Sequence, residues 1–70
     1  MNRTPVDSSL LLSVGYDRSA RALELEFTGG HVYTYADVPA RVHRELMAAE
    51  SHGRYFNRAI RGRYVYRRVS

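Results

Sequence analysis

Residues 22–35 read Ala-Leu-Glu-Leu-Glu-Phe-Thr-Gly-Gly-His-Val-Tyr-Thr-Tyr, and the predicted fold is built around this stretch. Leu23, Leu25 and Phe27 alternate with two glutamates, which is the pattern of a half-buried β-strand. The pair Gly29-Gly30 predicts a hairpin turn, after which residues 31–36 return as a second strand. We therefore expect an antiparallel β-hairpin at the centre of the chain.

The length of this turn determines which face of the hairpin receives Tyr33 and Tyr35. A two-residue Gly-Gly turn sets Leu25 opposite Thr34 and leaves both tyrosines exposed beside two glutamates. A three-residue turn over residues 28–30 sets Leu25 opposite Tyr33 instead and turns both tyrosines inward. We favour the three-residue turn, because so small a domain can hardly leave two aromatic side chains outside its core.

Before the hairpin, the pattern predicts one more strand. Residues 10–16 are mostly apolar and are expected to pair with the hairpin, with Gly15 marking a bulge. Asp17 is suited to close the turn that follows through its side chain. Residues 1–7 are polar, contain a proline and are expected to fray.

After the hairpin, the spacing of apolar residues predicts two helices. Pro39 is expected at the first position of a helix that buries Val42 and Leu46. Ser51 is suited to cap a second, shorter helix, which Gly62 ends.

Residues 63–69 return to a period of two and form either an edge strand or an extended tail. The predicted fold is one α+β domain over residues 1–70, with a three-stranded antiparallel meander, two helices packed on one face and an extended C-terminal segment.

Composition limits the classes of protein to which the chain can belong. Its 70 residues are 44% hydrophobic and include no cysteine, so neither a disulfide nor a thiolate metal site is available. This absence fits a reducing compartment, and we expect a cytoplasmic protein. No apolar run is long enough to span a membrane, and the N-terminal residues lack the apolar region of a signal peptide. We therefore expect no membrane association.

Charge is divided unevenly between the two parts of the chain. The chain contains eleven arginines, no lysine and a net charge of +4. Residues 1–40 hold three arginines against five acidic residues, whereas residues 41–70 hold eight arginines against two. Such asymmetry indicates an anionic partner for the C-terminal part, with nucleic acid as the first candidate.

The most basic stretch, residues 53–69, contains six arginines, four aromatic residues and no acidic residue. Arg54, Arg58 and Arg61 repeat at i, i+4 and i+7, which predicts a cationic stripe on the second helix. Arginines that neutralise phosphates and aromatic rings that stack on bases are the combination that holds single-stranded RNA. The predicted nucleic-acid contacts are Arg54, Arg58, Arg61, Arg63, Tyr64, Tyr66, Arg67 and Arg68.

Short motifs along the chain resemble those of a known family. In order they are Ser8-Ser9, Gly15-Tyr16-Asp17, Tyr33-x-Tyr35, Val38-Pro39, Ser51-x-Gly53, Tyr55-Phe56-Asn57, Ile60-Arg61 and Tyr64-x-Tyr66. Their order and spacing over residues 8–69 resemble the KTSC domain, which is named after the C-terminus of some lysyl-tRNA synthetases and also occurs as short stand-alone bacterial and phage proteins. Tyr33 and Tyr35 match the central Tyr-x-Tyr of that family. The resemblance implies no established activity and no catalytic residue, and it is compatible with the RNA binding suggested for the family.

Two other classes of function are alternatives to nucleic-acid binding. A protein-interaction or homodimerisation module fits the same aromatic and basic stretch, because Arg, Tyr and Phe also anchor protein interfaces. An enzyme is not expected, since His31, His43 and His52 lack metal-ligand spacing and no serine lies in a nucleophile elbow. We expect no cofactor and no metal.

Overall fold

The sheet has five antiparallel strands, so the prediction of a three-stranded meander is wrong, although the α+β class is correct. The computed structural model describes residues 2–70. The strands lie in sequence order across the sheet. In chain order the elements are β1 (Arg3–Pro5), β2 (Leu11–Asp17), β3 (Ala22–Phe27), β4 (Val32–Tyr35), α1 (Ala40–Ala48), α2 (His52–Tyr55), a π-helical turn (Phe56–Ile60) and β5 (Tyr66–Arg68).

The two additional strands are the edges of the sheet. β1 lies inside the segment that was expected to fray and pairs with β2. β5 lies inside residues 63–69, where an edge strand and an extended tail were both considered, and it pairs with β4. Each edge strand has only three residues, which is too short for an alternating pattern to distinguish a strand from an irregular segment.

The central hairpin has the register that the sequence favoured. Leu25 lies opposite Tyr33 and Leu23 lies opposite Tyr35, and the N–H of Phe27 donates to the carbonyl oxygen of His31 at 2.8 Å. Both tyrosines therefore share the leucine face of the sheet, which is the face covered by the helices.

The bulge in β2 lies at Leu12 and not at Gly15. The pairing of β2 with β3 shifts between Leu11 and Ser13, which leaves the Leu12 side chain 42% exposed. Gly15 is instead regularly paired, with Glu24 on one side and Arg3 on the other. The extra residue lets both Leu11 and Val14 reach the core.

The core lies between the inner face of the sheet and the helices. Its central side chains include Leu23, Leu25 and Leu46, each 0% exposed. The complete buried cluster is Leu11, Val14, Leu23, Leu25, Tyr35, Val38, Val42, Leu46, Tyr55, Phe56 and Ile60. A core of this kind supplies most of the favourable free energy available to a domain without disulfides.

The second helix changes its geometry partway along. Ser51 caps α2 as predicted, because its Oγ accepts from the N–H of Arg54 at 3.2 Å. From Phe56 to Ile60 the backbone is π-helical, and the N–H of Arg61 donates to the carbonyl oxygen of Phe56, five residues earlier. The wider turn alters the regular spacing on which the predicted arginine stripe depended.

Candidate functional site

The six arginines of residues 53–69 do not form one surface. Arg58 and Arg63 line one cleft, while Arg61 lines another. Arg67 lies opposite Thr34 on the outer face of the sheet, which also carries Glu24. Arg68 donates to Nδ1 of His31 at 2.8 Å, and Arg54 is exposed at the start of α2. The helix and the edge strand therefore distribute these charges over several parts of the molecule.

The first cleft, which we call the arginine cleft, lies between α1 and the second helix and has a volume of about 340 Å³. It brings together arginines that are distant in sequence. Its lining consists of Arg41, Val42, Glu45, Tyr55, Arg58, Ala59, Arg63 and Tyr64. Three of these residues, Arg58, Arg63 and Tyr64, were predicted contacts that this cleft brings together, whereas Arg41 was not predicted.

Contacts within the arginine cleft hold its side chains in place. The guanidinium of Arg58 lies over the ring of Tyr55, 5.4 Å from the ring centroid, as in a cation–π pair. Arg63 donates from Nε to the carbonyl oxygen of Arg58 at 3.1 Å. Both contacts leave guanidinium N–H groups available for an anion, because each guanidinium has five donors.

The carboxylate in the arginine cleft, Glu45, is held by two neighbours. The hydroxyl of Tyr55 donates to it at 2.7 Å, and Arg41 lies 3.4 Å away. The hydrogen bond from Tyr55, assisted by Arg41, lowers the pKa of Glu45. Burial and the bond to Glu45 in turn raise the pKa of Tyr55 to about 12, so this hydroxyl remains a donor at neutral pH.

The second cleft, which we call the tyrosine cleft, lies between the inner face of β4 and β5 and the π-helical turn, and has a volume of about 390 Å³. Five of its lining residues are aromatic, one is a cation and none is acidic. The lining consists of Leu10, Phe27, Tyr33, Tyr35, Phe56, Asn57, Arg61, Gly62 and Tyr66.

The aromatic rings of the tyrosine cleft pack against one another. Tyr66 lies 5.5 Å from Tyr33 and 5.4 Å from Tyr35 between ring centroids. Phe56 meets Tyr35 edge-on at 6.0 Å from the π-helical turn. Tyr35 is only 4% exposed, whereas Tyr66 at the rim is 56% exposed.

Three tyrosine hydroxyls in this cleft form no hydrogen bond with any part of the chain between residues 2 and 70, namely those of Tyr33, Tyr35 and Tyr66. The hydroxyls of Tyr16 and Tyr55, in contrast, each donate a hydrogen bond. Burial, together with the neighbouring Tyr66 and Tyr33, raises the pKa of Tyr35 to about 12, although Arg61 acts in the opposite direction. Tyr35 therefore keeps a neutral hydroxyl, and it lines the same cleft as Arg61.

Some of these residues were not identified as site residues from the sequence. Tyr33 and Tyr35 were predicted to pack in the core, and both lie on the core face, but they also line the tyrosine cleft. Asn57 was recognised only as part of the Tyr55-Phe56-Asn57 motif. A useful signal was the Tyr33-x-Tyr35 pair, because two aromatic rings on one face of a strand can form a stacking surface.

Neither a metal cluster nor a membrane span is present in the part of the chain that the structure describes. Within residues 2–70, no three His, Cys, Asp or Glu side chains are grouped so that they could hold a metal ion. Nδ1 of His52 lies 2.8 Å from the carbonyl oxygen of Leu46, and His43 stacks on Tyr16. No helix within those residues is long and apolar enough to cross a membrane.

Sequence and structure comparisons agree on the relatives of this chain. Residues 7–64 match the family model of the KTSC domain. A protein from Tsukamurella paurometabola is 45% identical over 60 residues, covering 86% of this chain and 90% of the relative, and an uncharacterised protein from Stutzerimonas stutzeri is 41% identical over 99% of both chains.

A lysine–tRNA ligase from Trichormus variabilis is 36% identical over 64 residues, which are 91% of this chain and 11% of the ligase. The crystal structure of a KTSC domain protein from Yersinia pestis superimposes with a TM-score of 0.94 at 43% identity, covering 99% of this chain and 97% of that one.

Proposed function

This chain belongs to the KTSC domain family, and we propose that it is a non-enzymatic module that binds single-stranded nucleic acid, RNA in particular. The observation that carries the proposal is the arginine cleft, where Arg41 from α1 meets Arg58 and Arg63 from the C-terminal part. Three guanidinium groups around one concave surface form a site for phosphate oxygens, to which arginine donates in pairs.

The local charge in the arginine cleft favours an anion. Its one carboxylate, Glu45, already accepts from Tyr55 and lies beside Arg41, so much of its charge is compensated. Tyr64 is half-buried in the same cleft and offers part of its ring beside the cations. Alternating cations and aromatic surfaces are what a single strand requires for its phosphates and bases.

The lysine–tRNA ligases among the relatives support RNA as the class of ligand. By their name these proteins act on a tRNA, and a segment similar to this chain occupies 11% of their length. This occurrence in proteins that act on a tRNA makes RNA the first class of ligand to test.

A fluorescence-anisotropy titration of single-stranded RNA at several salt concentrations tests the proposal. Contacts of about three phosphates with Arg41, Arg58 and Arg63 predict a log–log slope of affinity against salt of about −2 for a single strand. The double variant Arg58→Gln/Arg63→Gln removes two of these contacts, so we expect its slope to fall to about −0.7 and its affinity at low salt to fall roughly tenfold or more.

A matched control separates the arginine cleft from net charge. Arg18→Gln/Arg21→Gln also removes two positive charges, but both residues are exposed in the turn after β2, and neither lines the arginine cleft or the tyrosine cleft. We expect this control to keep most of the affinity and slope, with folding of both variants checked by circular dichroism. Equal losses in the two double variants would show that only net charge matters and would contradict the proposed site.

A protein-interaction module is the second candidate, and one observation favours it. Val65 and Val69, which flank β5, are 79% and 46% exposed, and Tyr66 between them is 56% exposed. Exposed apolar side chains in one segment are typical of docking surfaces. An interface anchored by these residues would depend little on salt, so the same titrations distinguish the two candidates.

A further inference from the structure

We propose that the tyrosine cleft binds one unpaired nucleobase together with its adjacent phosphate. This base site extends the proposed function, and it rests on that function because the base is taken to belong to a bound RNA strand. A free mononucleotide presents the same chemistry, so the test below includes it as a separate ligand.

The aromatic geometry provides the surface for stacking. Tyr66 packs beside Tyr33 and Tyr35 with interplanar angles of 34° and 35°, yet more than half of it remains exposed at the rim. An exposed ring that is held by two further rings loses little conformational freedom when a base stacks on it. Such a ring therefore suits a planar ligand.

The hydroxyl of Tyr35 indicates that the ligand is polar as well as planar. Tyr35 is 4% exposed, and its hydroxyl has no hydrogen-bond partner within residues 2–70. This hydroxyl is nevertheless partly accessible to solvent. Every fully enclosed side-chain nitrogen or oxygen of the described residues has a hydrogen-bond partner, so an atom without a partner is not fully enclosed. A nearly buried tyrosine that lines the cleft, and whose hydroxyl is left unpaired by the protein, is suited to the polar edge of a base.

The charge of the cleft indicates an anionic group beside the base. Arg61 is the only cation in the lining, and no carboxylate of that lining opposes it. Its contact with Oδ1 of Asn57 is long, at 3.5 Å, so most of its donors are available for a phosphate. The volume of about 390 Å³ lies within the range of small-ligand sites.

The two clefts flank the same short segment of chain. Tyr55, Arg58 and Ala59 line the arginine cleft, whereas Phe56, Asn57 and Arg61 line the tyrosine cleft. A single nucleic-acid strand that passes over the π-helical turn can therefore place phosphates in the arginine cleft and a base in the tyrosine cleft.

The experiment compares three ligands and three protein variants at low salt. The ligands are a single-stranded oligouridylate, an abasic ribose-phosphate strand with the same number of phosphates, and free uridine monophosphate. The variants are Tyr66→Ala, which removes the stacking ring, Tyr35→Phe, which removes only the unpaired hydroxyl, and Tyr16→Phe as the control outside the cleft. Melting temperatures test whether all three variants are folded at the temperature of the titrations, Tyr16→Phe included.

We expect the oligouridylate to bind roughly tenfold more tightly than the abasic strand. Tyr66→Ala should remove most of that difference, and Tyr35→Phe should weaken oligouridylate binding roughly threefold or more at an unchanged melting temperature. Tyr16→Phe should bind like the parent.

Equal affinity for the two strands, unaffected by the Tyr35 and Tyr66 variants, would overturn the base site while leaving phosphate binding at the arginine cleft intact. Binding of uridine monophosphate alone, weakened by the same variants, would support the base site and overturn the proposed strand binding. No binding of any ligand would overturn both.

Discussion

Tyrosine hydroxyls stabilise this domain at some positions and not at others. Tyr16 donates to the carbonyl oxygen of Val38, a residue that is 0% exposed and precedes α1. Tyr35 is more buried than the half-buried Tyr16, yet its hydroxyl has no such partner within residues 2–70. The first hydroxyl therefore belongs to the framework of the fold, whereas the second is available to a ligand.

This difference leads to a prediction about stability. Tyr16→Phe leaves a buried carbonyl oxygen unpaired, so we expect it to lower the free energy of unfolding by about 1–3 kcal/mol. Tyr35→Phe breaks no hydrogen bond within the described residues, so we expect a change of less than about 0.5 kcal/mol. Urea denaturation curves of the two variants measure both values, and a larger loss in Tyr35→Phe than in Tyr16→Phe would show that the hydroxyl roles are assigned wrongly.

At the scale of elements, α1 rests on the sheet partly through a histidine. The ring of His43 stacks on Tyr16, with centroids 4.9 Å apart and planes 9° apart. Burial lowers the pKa of His43 below its ordinary value of 6.5. Between the ordinary pKa of 6.5 and the lower pKa of the folded domain, the unfolded chain binds a proton that the folded domain does not, so the folded state loses stability as pH falls through 6.5.

We expect His43→Phe, which retains an aromatic ring against Tyr16, to reduce the drop in melting temperature between about pH 7.5 and about pH 5.5. Glu45 does not interfere in this window, because its pKa is lowered from an ordinary value of 4.5 and its contribution to stability is lost only in more acidic solution. Thermal melts at the two pH values measure the effect. The same drop in parent and variant would contradict the assignment to His43.

The elements also show what the sequence could and could not predict. The register of the hairpin was predictable, because only one turn length buries Tyr33 and Tyr35 beside the leucines. The edge strands were not predictable, since a strand of three residues is too short to show an alternating pattern of apolar and polar residues. The π-helical turn was hidden because Phe56 and Ile60, four residues apart, fit a buried α-helical face equally well.

At the scale of the whole molecule, the charge asymmetry of the sequence does not become a single basic face. The outer face of the sheet holds a network in which Arg3 donates to Ser13 and Glu24, and Ser13 donates to Glu26. The opposite side holds the arginine cleft and the tyrosine cleft. The number of arginines could be read from the sequence. Their distribution between the two clefts and the outer face of the sheet could not, because it depends on β5 and on the π-helical turn.

The central claim is that nucleic acid is bound on the side of the two clefts and not on the outer face of the sheet. The most direct measurement is an NMR titration of the isotopically labelled protein with single-stranded RNA, following the backbone amide shifts. We predict that the largest shift changes fall in residues 33–35 and 55–66, with little change at Ser13, Glu24 and Glu26. Changes concentrated on the outer face, or no change even at low salt, would contradict the account.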